Sequence, residues 1–568
     1  MFTLRQCSPP SLRRAAAAAV VVAAVLAAAG HSPRTASPRF YSDDPLQREP
    51  EVADASSAAE WDIDLFYDLA YQLFVTAGKA PTNTRAGNIN TVDEVPDSSW
   101  FTNRIGARPI TAAELQRGPV TGPAPASDKW VLTREKSAGA APGFTARDAN
   151  GETWFVSFDA KANPRGATAA VVISTKIFWA LGYNQVEYFV TEFDQDKTTI
   201  DPAATKRRPS GERTPITRDD VRELLEQVPR EAGRPLRAAA GRMLPGRVIG
   251  GFRYQGTRPD DPNDVVPHEH RRELRALRVF GAWTNLTDMK AGNTLDTVVP
   301  HQGRSVVRHY LQDVGSTFGV GAQGPHDWNE GWEYIYQGSS TKRRLLTFGF
   351  GLSPWQTADY PDHPAVGRFE GASFAPETWK PRAPTLAYIE MRDDDAFWAA
   401  RRVMAFSDDL IRAVVATGEI GDPAQEKYLA DTLILRRDKI GRAYLPKINP
   451  IVDPVLGANG ELSFGNAAVQ YRFAPAPTSY TATWARFDNA TGATTPIGQT
   501  TSTEPRMQAP AGLPTAPGSF IELELSARHP NHPSWERPVL VHFRRNGAGW
   551  TLVGLQRLPE RQAGVTTR

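Results

Sequence analysis

The stretch 288–315, DMKAGNTLDTVVPHQGRSVVRHYLQDVG, decides how this chain is read. It holds Asp288-Met-Lys290-Ala-Gly-Asn293, then two apolar runs at 294–299 and 305–311, bridged by Pro300-His-Gln-Gly303 and followed by Asp313-Val-Gly315. Two alternating runs joined by a glycine-bearing turn predict a β-hairpin. That hairpin brings Asp288 and Asn293 at its entry close to Asp313 at its exit. Two carboxylates, a carboxamide and a lysine then share one small site. Phosphoryl transfer uses such a set: an Asp to orient the acceptor hydroxyl, an Asn and a second Asp to hold Mg²⁺, and a Lys to neutralise the transferred group. The alternative reading is a polar turn between a helix and a hairpin, with Asp313 capping a loop.

Asp-x-Lys-x-x-Asn, a hairpin and Asp-x-Gly together resemble the catalytic and metal-binding loops of the protein-kinase-like superfamily, and the long hairpin is similar to its HipA-type and lipid-kinase branches. The resemblance implies an α+β fold with a two-lobed core, an antiparallel β small lobe and a mainly α large lobe. It also implies ATP with Mg²⁺ or Mn²⁺ as cofactors, Asp288 and Lys290 in catalysis, and Asn293 and Asp313 on the metal. Three further runs resemble a group of secreted bacterial proteins: Val95-Pro-Asp-Ser-Ser-Trp-Phe-Thr-Asn-Arg-Ile105, Asp261-Pro-Asn-Asp-Val-Val-Pro-His-Glu-His-Arg-Arg-Glu273 and Phe374-Ala-Pro-Glu-Thr-Trp-Lys-Pro381. That likeness spans roughly residues 61–445.

Upstream, Arg5, Arg13 and Arg14 precede the apolar run 15–29, and small residues follow. Residues 1–36 therefore read as a signal peptide, and the chain as periplasmic or secreted with no transmembrane segment after cleavage. The only cysteine, Cys7, lies inside that signal, so the mature chain has no thiol for a disulfide or a metal. With 65 basic and 63 acidic residues and a net charge of +2, nothing in the bulk charge points to nucleic acid. The length implies about three domains, or one large domain with additions.

Residues 37–125 read as a linker and an N-terminal extension packing on the core. Within it, 61–75 (WDIDLFYDLAYQLFV) has helical periodicity, and Thr111 with Glu114 marks a short helix start. The small lobe is expected over 126–195, as three antiparallel strands, the helix 168–181 and a further strand. The turn Lys136-Ser-Ala-Gly139-Ala-Ala-Pro-Gly143 would cover nucleotide phosphates, its small residues letting backbone N–H groups approach. Here the chain departs from the kinase pattern. The strand position that should carry a phosphate-binding lysine is Ser157, and the helix that should carry its glutamate has no acid. Lys136, and with less reach Lys161, are the candidate replacements.

Residues 196–450 are expected to form the large lobe, with 195–265 as an insertion. His268, Glu269, His270 and Glu273 lack a chelating spacing, since His268 and His270 point to opposite sides of a helix. They read as a first-turn cap and ion-pair face. Trp328, Trp332, Tyr334 and Tyr336 are candidates for an acceptor groove, with structural packing as the alternative. Arg436, Arg437 and Lys439 read as a solvated or acid-paired face. Residues 455–562 alternate in short runs and are expected to be an all-β sandwich. The sequence thus supports two readings: an exported phosphotransferase acting on an unknown acceptor of the envelope, whether protein, glycan or small molecule, or a pseudokinase that binds nucleotide, glycan or protein.

Overall fold

In a computed structural model, the structure describes residues 38–559 apart from 137–140, 208–211, 348–352 and 548. Its amino-terminal half is built on a seven-stranded mixed sheet. The strands are β1 Val131–Glu135, β2 Gly143–Arg147, β3 Thr153–Phe158, β4 Tyr188–Phe193, β5 Thr199–Arg207, β6 Arg213–Pro215 and β7 Leu236–Arg242. Their order is β4-β7-β3-β2-β1-β5-β6, with β1 and β5 parallel and all other pairs antiparallel. One face carries Trp130, Leu132, Phe144, Trp154, Val156 and Phe158 into a buried cluster. The other face receives the helix Gly166–Ala180, through Val171 and Val172 against Ala239 of β7 and Val190 of β4.

The expected boundary at 195 is not where this sheet ends. The segment read as an insertion supplies β5, β6 and the central strand β7, and β4 reaches β3 only through β7. The run LRAAAGR carries little strand propensity. Its alanines suit a position between two other strands, where Ala238 and Ala240 fill one face and Ala239 the other. Asp159, at the end of β3, starts the helix Gly166–Ala180 by accepting from the Thr168 amide and hydroxyl, both at 2.8 Å.

The hairpin forms in the expected register. A short strand β8, Arg247–Val248, lies beside β9 Thr294–His301, which pairs with β10 Arg304–Leu311. Gln302 and Gly303 make the two-residue turn with φ of 49° and 80°, the conformation that matches strand twist. The helix ahead of it is Arg272–Thr284; His268–His270 form a separate 3₁₀ turn, so the expected single long helix is broken at Arg271. Asn285, left-handed at φ 58°, ends the helix and turns the chain toward Asp288. The helices Asp393–Met404, Asp408–Ala416 and Pro423–Tyr444 complete this half. Trp283 is tied to the last of them by a 2.9 Å bond from its indole N–H to the Leu433 carbonyl.

Residues 38–60, read as part of a linker, are packed instead. Ala55 and Ala58 lie fully buried against Ile249, Val298 and Val307, because side chains that small let the chain run flat over the hairpin. Phe40 inserts between Phe487 and Val553 at the far end of the molecule. There, two antiparallel sheets share one buried cluster containing Ile451, Leu462, Trp484, Leu523 and Val541. One has strand order β11-β12-β15 and the other β14-β13-β16-β17-β18. Their strands are β11 Ile451–Leu456, β12 Glu461–Asn466, β13 Ser479–Phe487, β14 Thr494–Ser502, β15 Arg506–Gln508, β16 Phe520–Arg528, β17 Val539–Asn546 and β18 Gly549–Gln556. The alternating run at 469–473 is not a strand; Asn466 caps a short helix, Ala467–Gln470, by accepting from the Val469 amide.

The core holds an ionic cluster as well as apolar side chains. Arg272 and Arg275 are fully buried on the first turn of their helix. Asp395 bridges them, at 2.9 Å to Arg272 and 3.0 Å to Arg275, while Asp93 of the N-terminal extension adds a 3.0 Å contact to Arg272. His268 and His270 are spent in the same region, His268 on Asp264 at 2.7 Å and His270 on Arg275 at 2.6 Å. Of the residues expected on a solvated or acid-paired face, Arg437 pairs with Asp408 at 2.8 Å and Asp438 at 2.7 Å, whereas Arg436 is buried and donates to the carbonyls of Glu370 and Ala282.

Removing one partner from such a cluster leaves uncompensated buried charge. Asp395→Ala is therefore expected to destabilise the chain by about 3–5 kcal/mol, read as a shift in the urea or guanidinium midpoint. A loss below ~1 kcal/mol would mean that water reaches the arginines and the cluster is not closed in solution.

Candidate functional site

The register of the hairpin builds the site. Because Thr294 pairs with Leu311, the residues just outside the strands face each other as well. The Asn293 carbonyl accepts from the Gln312 amide at 3.0 Å and the Asp313 amide at 3.1 Å. The Asn293 side chain reaches the other way, its amide nitrogen donating to the Asp288 carbonyl at 2.7 Å and its carboxylate at 3.2 Å. Asn293 thus joins Asp288 to Asp313, by side chain on one side and backbone on the other. Lys290 pairs with the Asp288 carboxylate at 2.7 Å. Both are partly open to water, so the pair orients the two groups more than it stabilises the fold. The Asp313 carboxylate accepts from the Gly315 amide at 3.0 Å, a tight turn of the Asx kind.

Two groups of the large sheet feel the charge of Asp313, and the helix of that sheet lies beside Gly315. Lys136 follows β1, and its amide pairs with the Gly143 carbonyl. Lys136 keeps an exposed side chain, yet the protein packed near its ammonium group lowers its pKa by desolvation, and the Asp313 carboxylate opposes that shift. Burial raises the Tyr188 phenol of β4, and the same Asp313 charge raises it further. Val171 of the helix lies 3.4 Å from the place where a side chain on Gly315 would begin.

The other residues expected here fall out differently. Gly139 lies outside the described residues. Gly143 begins β2 rather than sitting in the turn, paired with Ser157. A Cβ there would stand 2.4 Å from the Val156 carbonyl, so this glycine serves strand approach. Lys161 is exposed on the turn after β3. Ser157 pairs with Gly143 on one side and Ala239 on the other. Cross-strand partners share a face, so Ser157 lies on the face that receives the helix.

Several groups were not visible from spacing. Tyr254 is buried, and its phenol is raised by burial and by the nearby Asp288 and Asp68 carboxylates. Asp68 sits on the helix Leu65–Phe74, whose Leu65 lies over Gly292 of the Asp288–Asn293 loop. Burial raises the Asp68 carboxyl, against the Arg253 charge. Beyond Gly315, His326 is buried with Nε2 at 2.9 Å from the Ser316 hydroxyl. Its Nδ1 stands 3.7 Å from Glu330 and 3.5 Å from the Asn285 amide. Burial lowers the His326 pKa, the Glu330 and Asp288 charges raise it, and Arg382 lowers it. The only signal in the sequence was an isolated Ser and His ten residues apart, and the site depends on a loop that folds back.

Of the expected aromatic groove, Trp328 is half exposed with the Arg368 guanidinium 3.9 Å over its ring, and the Trp332 indole donates to the Tyr360 hydroxyl at 3.3 Å. Asn285, Glu330, Trp332, Tyr360, Arg368 and Trp379 line part of a narrow cleft.

Asn293 and Asp313, with Asp288, offer hard oxygen donors of the kind Mg²⁺ and Mn²⁺ prefer. Among the described residues, no group of three or more His, Cys, Asp or Glu side chains is placed to hold a metal. Two carboxylates and one carboxamide are too few donors to fill the shell of such an ion by themselves.

No protein-family model matches the chain, and no curated protein matches it. Among solved structures, the golgi casein kinase matches at 10% identity over 70% of this chain and 96% of that one, with a TM-score of 0.27. The golgi casein kinase with Mn/ADP bound matches at 10% identity over 70% and 95%, with a TM-score of 0.28. Superpositions this loose carry no argument about fold or reaction.

Asn293→Ala would leave the Asp288 carbonyl and carboxylate without their amide donor. The expected cost is about 1–2 kcal/mol of stability in a denaturant titration. An unchanged midpoint would show that Asn293 does not hold the loop in solution.

Proposed function

We propose that this chain is a kinase-like phosphotransferase that takes phosphate from ATP, with Mg²⁺ or Mn²⁺, to a hydroxyl acceptor. One observation carries the reading: the Asn293 carbonyl accepts from both Gln312 and Asp313, so the hairpin register sets the Asp288-x-Lys290-x-x-Asn293 loop against Asp313-x-Gly315. Asp288 orients the acceptor hydroxyl, and Lys290, paired to it, offsets charge on the transferred group. Asn293 and Asp313 would hold the metal, which when bound would supply positive charge against the phosphates. Lys136, facing Asp313 from the β1–β2 turn, supplies the positive charge that Ser157 lacks. On this reading the seven-stranded sheet with its helix is the small lobe, and the helices after the hairpin form the large one.

The signal-like N-terminus supports export to the cell envelope, with an envelope protein, glycan or small molecule as acceptor. No helix among the described residues is long and apolar enough to cross a membrane. A second reading, a pseudokinase that binds without transferring, is favoured by Ser157 and by the absence of any acid on the helix Gly166–Ala180.

Two measurements separate these readings. Following labelled γ-phosphate into envelope extracts, Asp288→Asn should slow transfer at least ~100-fold while metal-dependent nucleotide binding persists. Asp313→Asn should weaken the binding itself, because an amide is a poorer Mg²⁺ ligand than a carboxylate. Nucleotide bound by the wild-type chain with no transfer to any acceptor would select the pseudokinase.

Lys136→Ala should weaken nucleotide binding by about 1–3 kcal/mol, with Lys161→Ala doing much less, as read by thermal-shift titration with ATP and Mn²⁺. Equal and negligible effects would remove Lys136 from the phosphate site.

A further inference from the structure

The loop that follows Gly315 holds a hydroxyl set up for chemistry that the four residues of the proposed phosphotransfer site do not account for. Ser316 is half-buried, and its Oγ lies 2.9 Å from Nε2 of His326. The imidazole is fixed from several sides: its backbone amide donates to the Gly319 carbonyl at 2.8 Å, Glu330 faces Nδ1 at 3.7 Å, and Asn285 approaches the same nitrogen. Asn285 is itself held by the Trp379 indole, which donates to its side-chain oxygen at 2.8 Å. Glu330 is held by the Thr287 hydroxyl, one residue before Asp288. The Asn285 amide N–H approaches Nδ1 only at 3.5 Å, and the charge of Glu330 on the same side favours a proton on that nitrogen; in this tautomer Nε2 accepts from Ser316, as when a histidine backed by a carboxylate activates a serine.

Position gives this serine its partner. Ser316 lies three residues after Asp313, and the Asp313 carboxylate is folded back onto the Gly315 amide, so the hydroxyl and the carboxylate leave one tight turn. His326 feels the Asp288 charge as well as that of Glu330. The phosphoryl group of a nucleotide held at Asp313 would therefore lie within a turn's reach of Ser316. We propose that Ser316 is itself a phosphoryl acceptor, with His326 as its general base and Glu330 as the residue that positions the imidazole; this rests on the phosphotransferase reading above. Ser316 Oγ bonds to the γ-phosphorus of a bound nucleoside triphosphate, and the bond from that phosphorus to the β–γ bridging oxygen breaks. Nucleoside diphosphate leaves, and the hydroxyl proton passes to His326 Nε2.

The test incubates the full chain with ATP and Mn²⁺, maps phosphate by peptide mass spectrometry, and in parallel measures the thermal shift given by the same nucleotide and metal. The expected result is phosphate on Ser316, absent in Ser316→Ala, present again as phosphothreonine in Ser316→Thr, and formed at least ~100-fold more slowly in His326→Gln. The melting temperature of each variant without ligand reports its folding. If His326→Gln does not fold, the Ser316→Ala and Ser316→Thr pair still decides whether this hydroxyl is the acceptor. A wild-type chain that binds nucleotide but carries no phosphate on Ser316 overturns the inference and leaves the phosphotransferase reading standing. Phosphorylation of Ser316 at an unchanged rate in a folded His326→Gln overturns the role of His326. The absence of any nucleotide-dependent thermal shift overturns the phosphotransferase reading, and the inference with it.

Discussion

Four arginines, Arg258, Arg271, Arg272 and Arg275, are among the largest fully buried side chains of this protein, and the rest of the structure is arranged to satisfy them. A guanidinium stays charged at any pH a protein survives, so each one must meet carboxylates or carbonyls inside the fold. The partners come from distant parts of the chain. Arg271 takes Glu49, Arg272 takes Asp93 and Asp395, Arg275 shares Asp395, and Arg258 takes Asp296 of the hairpin at 3.1 Å. None of those segments can leave without exposing a charge to an apolar interior. The N-terminal extension, the helix Arg272–Thr284, the helix Asp393–Met404 and the hairpin are thereby locked into one body.

That lock sets the aim of the site. The helix Arg272–Thr284 is anchored at its first turn by the ionic cluster and near its end by the Trp283–Leu433 bond, so the turn at Asn285 leaves from a fixed point. From there only two residues separate the cap from Asp288. On the return side, the Thr284 carbonyl accepts from the Phe318 amide at 2.8 Å, pinning the chain after Gly315 to the same helix end. Trp100 of the extension stacks on His309 at 3.5 Å, and His309 bonds Asp296 at 2.8 Å, which holds the hairpin from its outer side. Asp288 and Asp313 are positioned by regular elements and their caps, which is how precise sites are built.

The hairpin was legible in the sequence because its determinants are local: two alternating runs and a glycine-bearing bridge over Pro300–Gly303. The Gln302-Gly303 turn, the register it sets and the backbone bond between Asn293 and Asp313 are visible only in the structure. The helix at Leu65–Phe74, which Asp64 caps, was legible through its apolar periodicity. The place of β7 was not, since LRAAAGR becomes a central strand only through two partners, one of them some eighty residues earlier in the chain. The burial of 38–60 was hidden by the very alanines that allow it. Ser316, His326 and Glu330 meet through a loop whose path depends on Gly319 and Gly331 in left-handed conformation and on Trp379 from far downstream. No periodicity records such an arrangement.

The lysine missing at position 157 and the acid missing from the helix are one physical fact rather than two. A lysine on the helix-facing side of β3 would sit against Val171, Val172 and Ala239, with no acid on the helix to pair with it. Its ammonium would bear the full cost of burial, and its pKa would fall. With no glutamate on the helix to pair with it, such a lysine would sit neutral or destabilise the lobe. Lys136 avoids the problem because it lies at the exposed mouth of the cleft, with Asp313 as the charge that opposes its desolvation. On the phosphotransferase reading, Asp313 would help hold the metal, and nucleotide phosphates would be the partners of Lys136. Charge at this site is balanced across the cleft, between the large sheet and the hairpin, instead of within the sheet and its helix. Closing the cleft on a nucleotide and satisfying Lys136 would accordingly be the same event.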